Sequence, residues 1–463
     1  MTPAAPVPIE YRLIGPTEGG GVGDLLVGLD QRQGRIRLQA LISEWLRMEN
    51  LVVLTGSGTS VSAGGKTMAN LEKEVLATIE ALPDLPPSIK PIIESRKNAV
   101  AFASVHGAPI GFEAWLSFIA NALVVAESVG APFSAVTWPE TPAPNTADLR
   151  WFVRRLRIAI FSECALSLPD TTSATSAKGI APQLAFLSKL IARDSNLGRA
   201  HLFTLNYDTL FEQAMELLGV QYFDGFTGRA AARFDPSVYG LDIYYPGEVA
   251  EGRVRRFDKF LHFYKLHGSI HWFEHGDEMR ARHTDLTPFQ SYATKSPADK
   301  AAALVPLADK TPSVGILPTA NKFAQTLTMP YAHLFRSFQV RLGIPQTFLL
   351  VLGYGFGDDH VSRIIENALM NPSLMMLVIE PNPDSPVIER IRRYKDLGKR
   401  AFVLCPTTDA FAAAPFTLAT FDDFATLVMP DVQWLDDFLR LRRFEKQIAS
   451  SETPTDPSAG AGA

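Results

Sequence analysis

Apolar residues along this chain follow two alternating rhythms. Short, nearly unbroken runs at 51–54, 201–204, 261–266, 347–352, 375–379 and 401–404 read as buried strands. Between several of them apolar residues recur at helical spacing. Leu38, Leu41, Ile42, Trp45 and Leu46 fall at i, i+3, i+4, i+7 and i+8, one face of a helix. Leu210, Phe211, Ala214, Met215, Leu217 and Leu218 make a second stripe, and Gly219 stands where it can close that helix. Strands alternating with helices predict an α/β fold with a mainly parallel sheet covered on both faces.

Segments 111–129, 148–166 and 180–193 also have helical spacing. Pro-rich breaks lie at 83–91 and 138–144, and a Ser/Thr-rich loop at 169–179. The stretch 68–195 therefore reads as a helical subdomain inserted between the first two strands. Residues 1–34, rich in Pro and Gly, read as an extended N-terminal arm. The main α/β domain is then discontinuous, 35–67 and 196–405. It is followed by a helical extension over 406–449, with an amphipathic helix at 434–444, and a disordered tail over 450–463. The polar, Pro-broken region 276–345 yields no assignment.

Composition narrows the functional classes. A chain of 463 residues suits two or three structural units. With 46% hydrophobic and 20% charged residues it has an ordinary globular composition. A net charge of -5 gives no indication of direct nucleic-acid binding. Two cysteines, Cys164 and Cys405, exclude a disulfide framework and a four-cysteine zinc site within this chain. No basic region followed by an apolar stretch opens the chain, so no secretory signal is expected. The most apolar stretch, 114–133, contains Ser117, Asn121, Glu127 and Ser128 and reads as a buried helix, not a membrane span. The expected compartment is the cytoplasm.

The candidate chemistry sits where strands end. Gly56-Ser57-Gly58-Thr59-Ser60 follows the first strand. Glycines there would let backbone N–H groups approach a phosphate, with Thr59 and Ser60 adding hydroxyls. A plain strand-to-helix turn explains the same glycines. Gly65-Lys66-Thr67 resembles the end of a P-loop, but Ser60 occupies the position where that motif needs a glycine. Asn206 ends the second strand, an unfavourable place for Asn unless it serves a ligand or a turn. Asp208 fits a helix N-cap. His267 follows the third strand. His262, His271, His275 and His283 lie near it without a recognisable metal-ligand spacing, so no metal is expected. The later loop Gly353-Tyr354-Gly355-Phe356-Gly357-Asp358-Asp359 and the strand end Glu380-Pro381-Asn382-Pro383 could hold ribose or adenine, or could be simple turns.

Taken in order, the glycine loop, Thr204-Leu205-Asn206-Tyr207-Asp208, Lys265-Leu266-His267-Gly268 and the Gly353 loop resemble the NAD-handling core of the sirtuin family, in its divergent bacterial branch. The resemblance spans roughly 50–385 and leaves most of 68–195 uncovered. It implies a Rossmann-like fold, NAD as substrate, and Asn206 and His267 as catalytic residues. It also implies cofactor-binding roles for Gly56, Ser57, Gly58, Thr59, Ser60, Asp208, Gly353, Tyr354 and Gly355, to which the strand-end position adds Glu380 and Asn382. The family's zinc ribbon is missing here, which sets peptide deacylation in doubt. Divergent bacterial members resemble this pattern and degrade NAD in antiphage defence. The likeness therefore implies an NAD hydrolase, a homo-oligomer, and a partner such as an ATPase or translocase of the HerA type or another defence sensor. A protein deacylase or ADP-ribosyltransferase using the same site, and a non-catalytic module sensing NAD or ADP-ribose, remain open alternatives.

Overall fold

The computed structural model describes residues 8–17, 21–106, 111–129, 144–168, 180–194, 196–228, 232–250, 253–275, 278–283, 285–289, 292–308, 329–393 and 400–431. The expected loop at 169–179, the helix at 434–444 and the tail from 450 lie outside them.

All six apolar runs are strands of one sheet. They are β3 (Asn50–Thr55), β4 (Ala200–Thr204), β10 (Phe260–Lys265), β13 (Thr347–Leu352), β14 (Met375–Ile379) and β15 (Arg400–Pro406). Three short strands complete the sheet: β1 (Tyr11–Pro16) and β2 (Val22–Asp24) at one edge and β5 (Gln221–Phe223) at the other. The order is β2-β1-β15-β14-β13-β3-β4-β10-β5. From β15 to β5 neighbours run parallel, while β1 and β2 pair antiparallel. This is an α/β, Rossmann-like sheet. The chain builds outward from β3 to β4 and β10, then returns to the other side of β3 for β13, β14 and β15. The order reverses between β3 and β13.

Alternation along each strand feeds two cores. Val52, Leu54, Leu349 and Val351 point into one, and Leu51, Val53, Phe348 and Leu350 into the other. The first core is covered by α2 (Met68–Glu80), α3 (Lys90–His106), α4 (Phe112–Val129), α5 (Thr146–Cys164), α8 (Pro297–Ala308), α9 (Tyr331–Gly343), α10 (Asp359–Ala368) and α11 (Pro386–Arg393). The second is covered by α1 (Gln31–Leu46), α6 (Pro182–Ile191), α7 (Leu210–Leu218) and the segment 419–429. Each fully buried Leu, Val or Phe contributes ~1.5–3 kcal/mol to this packing. Gly219 ends α7 in the left-handed conformation (φ 65°), as its position after the stripe suggests.

Several differences from the sequence reading have a physical cause. Part of the expected arm is sheet: Tyr11, Arg12, Leu13 and Ile14 pair with Pro406, Cys405, Leu404 and Val403. The insertion, expected to end at 195, splits between faces, because α6 buries Phe186, Leu187 and Leu190 beside α1 and α7. Beyond β10 lies a small antiparallel sheet of β6 (Phe226–Thr227), β7 (Ala232–Phe234), β11 (Trp272–His275) and β12 (Glu278–Ala281). A hairpin, β8 (Tyr244–Ala250) with β9 (Arg253–Arg256), stands apart from it. Among the described residues no helix is long and apolar enough to cross a membrane. Leu116, Ile119, Ala122 and Ala126 of α4 are buried.

Buried charges tie the α2–α5 layer together. Lys300 of α8, 1% exposed, lies 2.7 Å from both Glu74 of α2 and Glu163 of α5. Burial would discharge this lysine, but Glu163 and Glu74 outweigh it and hold its pKa above the ordinary value.

At the N-terminal ends of β4 and β10, His201 and His262 stack with ring centroids 4.8 Å apart, and His201 Nδ1 lies 3.2 Å from the Tyr264 hydroxyl. Burial, with Arg341 adding to it, pushes the His262 pKa down to about 4. The unfolded chain therefore binds this proton near pH 6.5 and the folded chain only near 4. This group's contribution to stability is complete above pH 6.5 and is lost as pH falls towards 4, by ~3 kcal/mol in all. Urea midpoints should fall over that range, and His262→Gln should flatten the fall. An unchanged pH dependence in the variant would refute the assignment.

Candidate active site

Strand register sets the level of the site. Thr55 pairs with both Leu352 and Thr204, and Thr204 pairs with Lys265. β13, β3, β4 and β10 thus end side by side, at the reversal of strand order where open α/β sheets bind ligands. Asn206 and His267 each stand two residues beyond the Thr204–Lys265 pair.

Asn206 is buried and its amide nitrogen is committed. Nδ2 donates towards the Gly56 carbonyl (3.0 Å), Thr59 Oγ1 (3.1 Å) and Ser60 Oγ (2.9 Å). The carbonyl oxygen Oδ1 accepts no hydrogen bond among the described residues. Ser60 Oγ in turn donates to Asp208 Oδ2 at 2.7 Å. Asp208 Oδ1 accepts from the Leu210 N–H at 3.1 Å. The N-cap of α7 is Thr209, so Asp208 serves the helix from one position earlier than expected. Beneath it the Lys265 ammonium donates to the Asp208 carbonyl and, at 2.8 Å, to Glu212. Burial holds the Glu212 carboxyl above its usual range, against the pull of Lys265.

The glycine loop works differently from the expectation. The N–H groups of Gly56, Gly58 and Thr59 donate to Leu352, Gly353 and Gly56 carbonyls, at 2.9, 3.0 and 3.0 Å. They are not turned towards a phosphate. The glycines are needed for contact between two loops: a Cβ at Gly56 would lie 2.6 Å from the Gly353 oxygen, and one at Gly58 2.6 Å from Gly353 Cα. Thr59 and Ser60 hold Asn206 and Asp208 with the hydroxyls expected to face phosphate. Ser57 is exposed, and its N–H and hydroxyl make no hydrogen bond among the described residues. Lys66 does not act as a P-loop lysine, since it donates to Glu163 Oε2 (2.6 Å) and the Ala293 carbonyl (3.2 Å).

His267 Nε2 lies 3.0 Å from Asp358 Oδ2, with both side chains largely buried. Its ring is 6.3 Å from that of Tyr207 and 6.4 Å from that of Phe335. Asp358 belongs to the loop that could contact ribose or adenine, but sequence alone gives it no role of its own; its partner is His267. Tyr354 is buried, and its hydroxyl donates to the Asp358 carbonyl at 2.9 Å. Glu380 and Asn382 lie one strand farther out and form a turn: Glu380 accepts from the Asn382 N–H, and Asn382 from the Asp384 N–H. No hydrogen bond among the described residues joins them to Asn206 or His267. The neighbouring histidines diverge. His262 stacks on His201, whereas His271 faces His283 at 5.3 Å. No group of three His, Cys, Asp or Glu residues suited to a metal gathers among the described residues.

Comparison with known families now adds to the geometry. Residues 200–400 match the SIR2-like domain. The SIR2-like match is less than half of the chain and points to NAD-related chemistry in general. It opens on the first residue of β4 and takes in Asn206, Asp208, His267 and the Gly353 loop. The glycine loop lies outside it and joins the site through the Asn206 and Asp208 hydrogen bonds. No curated protein matches the chain.

Gly58→Ala should drive the two loops apart and cost about 1–3 kcal/mol of stability. Gly355→Ala, where an added Cβ meets nothing within 4 Å, should leave the thermal midpoint unchanged. Equal midpoints for the two variants would show that the loop contact is not tight.

Proposed function

We propose that this chain is an NAD glycohydrolase that cleaves the nicotinamide–ribose bond, and that it acts as an antiphage effector by depleting NAD. The observation that carries this reading is the common level of Asn206 and His267 at the ends of β4 and β10, beside the strand-order reversal and inside the region matching the SIR2-like domain. The unengaged Oδ1 of Asn206 and the unengaged donors of Ser57 support it.

The chemistry asks little of the protein beyond positioning and one base. Nicotinamide is cationic in NAD and leaves as a neutral ring, taking the electron pair of the broken C–N bond. The ribose C1′ gains oxocarbenium character. Asn206 Oδ1 accepts a hydrogen bond from the attacking water, with the amide group held still by its three acceptors. The water oxygen bonds to C1′, and its proton passes to His267 and then to solvent. Each Asp208 oxygen keeps a further lone pair with which to orient the nicotinamide carboxamide. Ser57 donates to the diphosphate. Fixing these parts converts binding into rate through orientation.

The test is incubation with NAD, with and without neighbouring-gene products, followed by quantifying nicotinamide and ADP-ribose. Wild-type protein should release both in equal amounts. Asn206→Ala and His267→Ala should lose about 10²–10⁴-fold in rate, with circular dichroism unchanged. A wild-type rate in His267→Ala would remove the base from the mechanism. Acyl-ADP-ribose or ADP-ribosylated protein as the product would replace hydrolysis by transfer.

A further inference from the structure

We infer that Asp358 is a positioning residue that selects which ring nitrogen His267 presents to the reaction, and so makes the 353–359 loop and α10 part of the active site. The inference deepens the NAD-cleavage reading and rests on it for its kinetic consequences only.

An ionised carboxylate can only accept hydrogen bonds. With Asp358 Oδ2 3.0 Å from His267 Nε2, the imidazole must carry its hydrogen on Nε2. In the neutral ring the lone pair is then on Nδ1, and Nδ1 is the nitrogen that takes up the proton. Two features fix the carboxylate itself. Its other oxygen, Oδ1, accepts from the His360 and Val361 N–H groups at 2.9 and 3.3 Å, as the N-cap of α10. Rotating the carboxylate away from His267 would uncap the helix, at ~1 kcal/mol. The helix N-terminus also favours a negative charge at this position.

The loop before it is shaped to the same end. Gly353 and Phe356 both take left-handed φ values, 61° and 57°. A left-handed Phe is strained unless its surroundings hold it. Ser362 Oγ donates to the Phe356 carbonyl at 3.2 Å and lies 3.1 Å from the Tyr354 hydroxyl, which donates to the Asp358 carbonyl. Ser362 belongs to α10, so the helix holds the loop that carries its own cap. One other titratable group lies against the imidazole among the ring contacts described. Tyr207 packs near it, and Glu113 of α4, Cys164 of α5 and Tyr331 of α9 act on Tyr207 together with Asp358.

The test uses the full chain and two readouts. The first needs no turnover: ring-nitrogen NMR of histidine-labelled protein, with His267 assigned through His267→Gln. Wild type should show the Nε2–H tautomer. Asp358→Asn keeps an oxygen for the α10 cap but offers an amide to Nε2, and should lose or reverse that preference. Asp358→Ser, a strong cap without a carboxylate, is the second variant should the first not fold. Unchanged His267 ring nitrogens in a folded variant would overturn the inference. The second readout is NAD consumption against pH. Asp358→Asn should lower kcat by about tenfold or more with KM within about twofold. The acid limb of its profile should move to lower pH, because a charge that stabilises the imidazolium is gone. A lowered thermal midpoint with an unshifted pH profile would make Asp358 merely a cap and sink the proposal. If wild type consumes no NAD, the glycohydrolase reading fails, while the ring-nitrogen measurement still decides the role of Asp358.

Discussion

The side-chain amide of Asn206 joins two parts of the chain 150 residues apart. A buried amide must find acceptors or lose its hydration without return. Here the acceptors are the Gly56 carbonyl and the Thr59 and Ser60 hydroxyls, so the turn after β3 can sit only where that amide lies. Ser60 passes the constraint on to Asp208, and Gly58 passes it to Gly353 through backbone contact. The remaining geometry of the site follows from this hub. A single Asn thus combines a structural role, through its nitrogen, with an oxygen left for chemistry.

Much of the sheet was legible in the sequence because its central strands are buried on both faces and appear as apolar runs. β1, β2, β5 and the small sheet were not, since short, half-exposed strands such as Gln221–Phe223 mix polar and apolar residues. At the site, Asn206 and His267 stood out because polar residues at buried strand ends need a reason. The glycines were noticed for the right place, but their purpose depends on Gly353, some 300 residues later, which no local pattern reveals. Ser60 and Thr59 were counted as ligand donors because sequence shows a hydroxyl and not its partner. Asp358 has a place in the loop that could contact ribose or adenine but no partner, for the same reason. Locally the loop also reads as a tight turn before a helix, and only the folded chain brings Asp358 to an imidazole.

The buried charges around Glu163 have a different character. Lys66, at the end of the glycine-loop turn, and Lys300, on α8, both reach this one carboxylate from separate segments. Removing such charges from water costs several kcal/mol per ion, so the cluster is weak evidence for added stability. Its effect is on arrangement. It admits one placement of α2, α5 and α8 against the sheet, and it fixes the far end of the turn whose near end holds Asn206.

The antiparallel pairing of β1 with β15 affects how the molecule is made. Synthesis delivers Tyr11–Pro16 first, yet its partner strand, Arg400–Pro406, emerges nearly four hundred residues later. The entropy of closing so long a loop grows only slowly with its length, by about 0.6 kcal/mol per doubling. The difficulty is one of waiting. Leu13 and Ile14, fully hidden in the finished protein, have only β2 beside them on the ribosome until the last parallel strand is released. The edge of the sheet is therefore closed only after β15 has been made, and a nascent chain stalled short of that point keeps an unsealed margin.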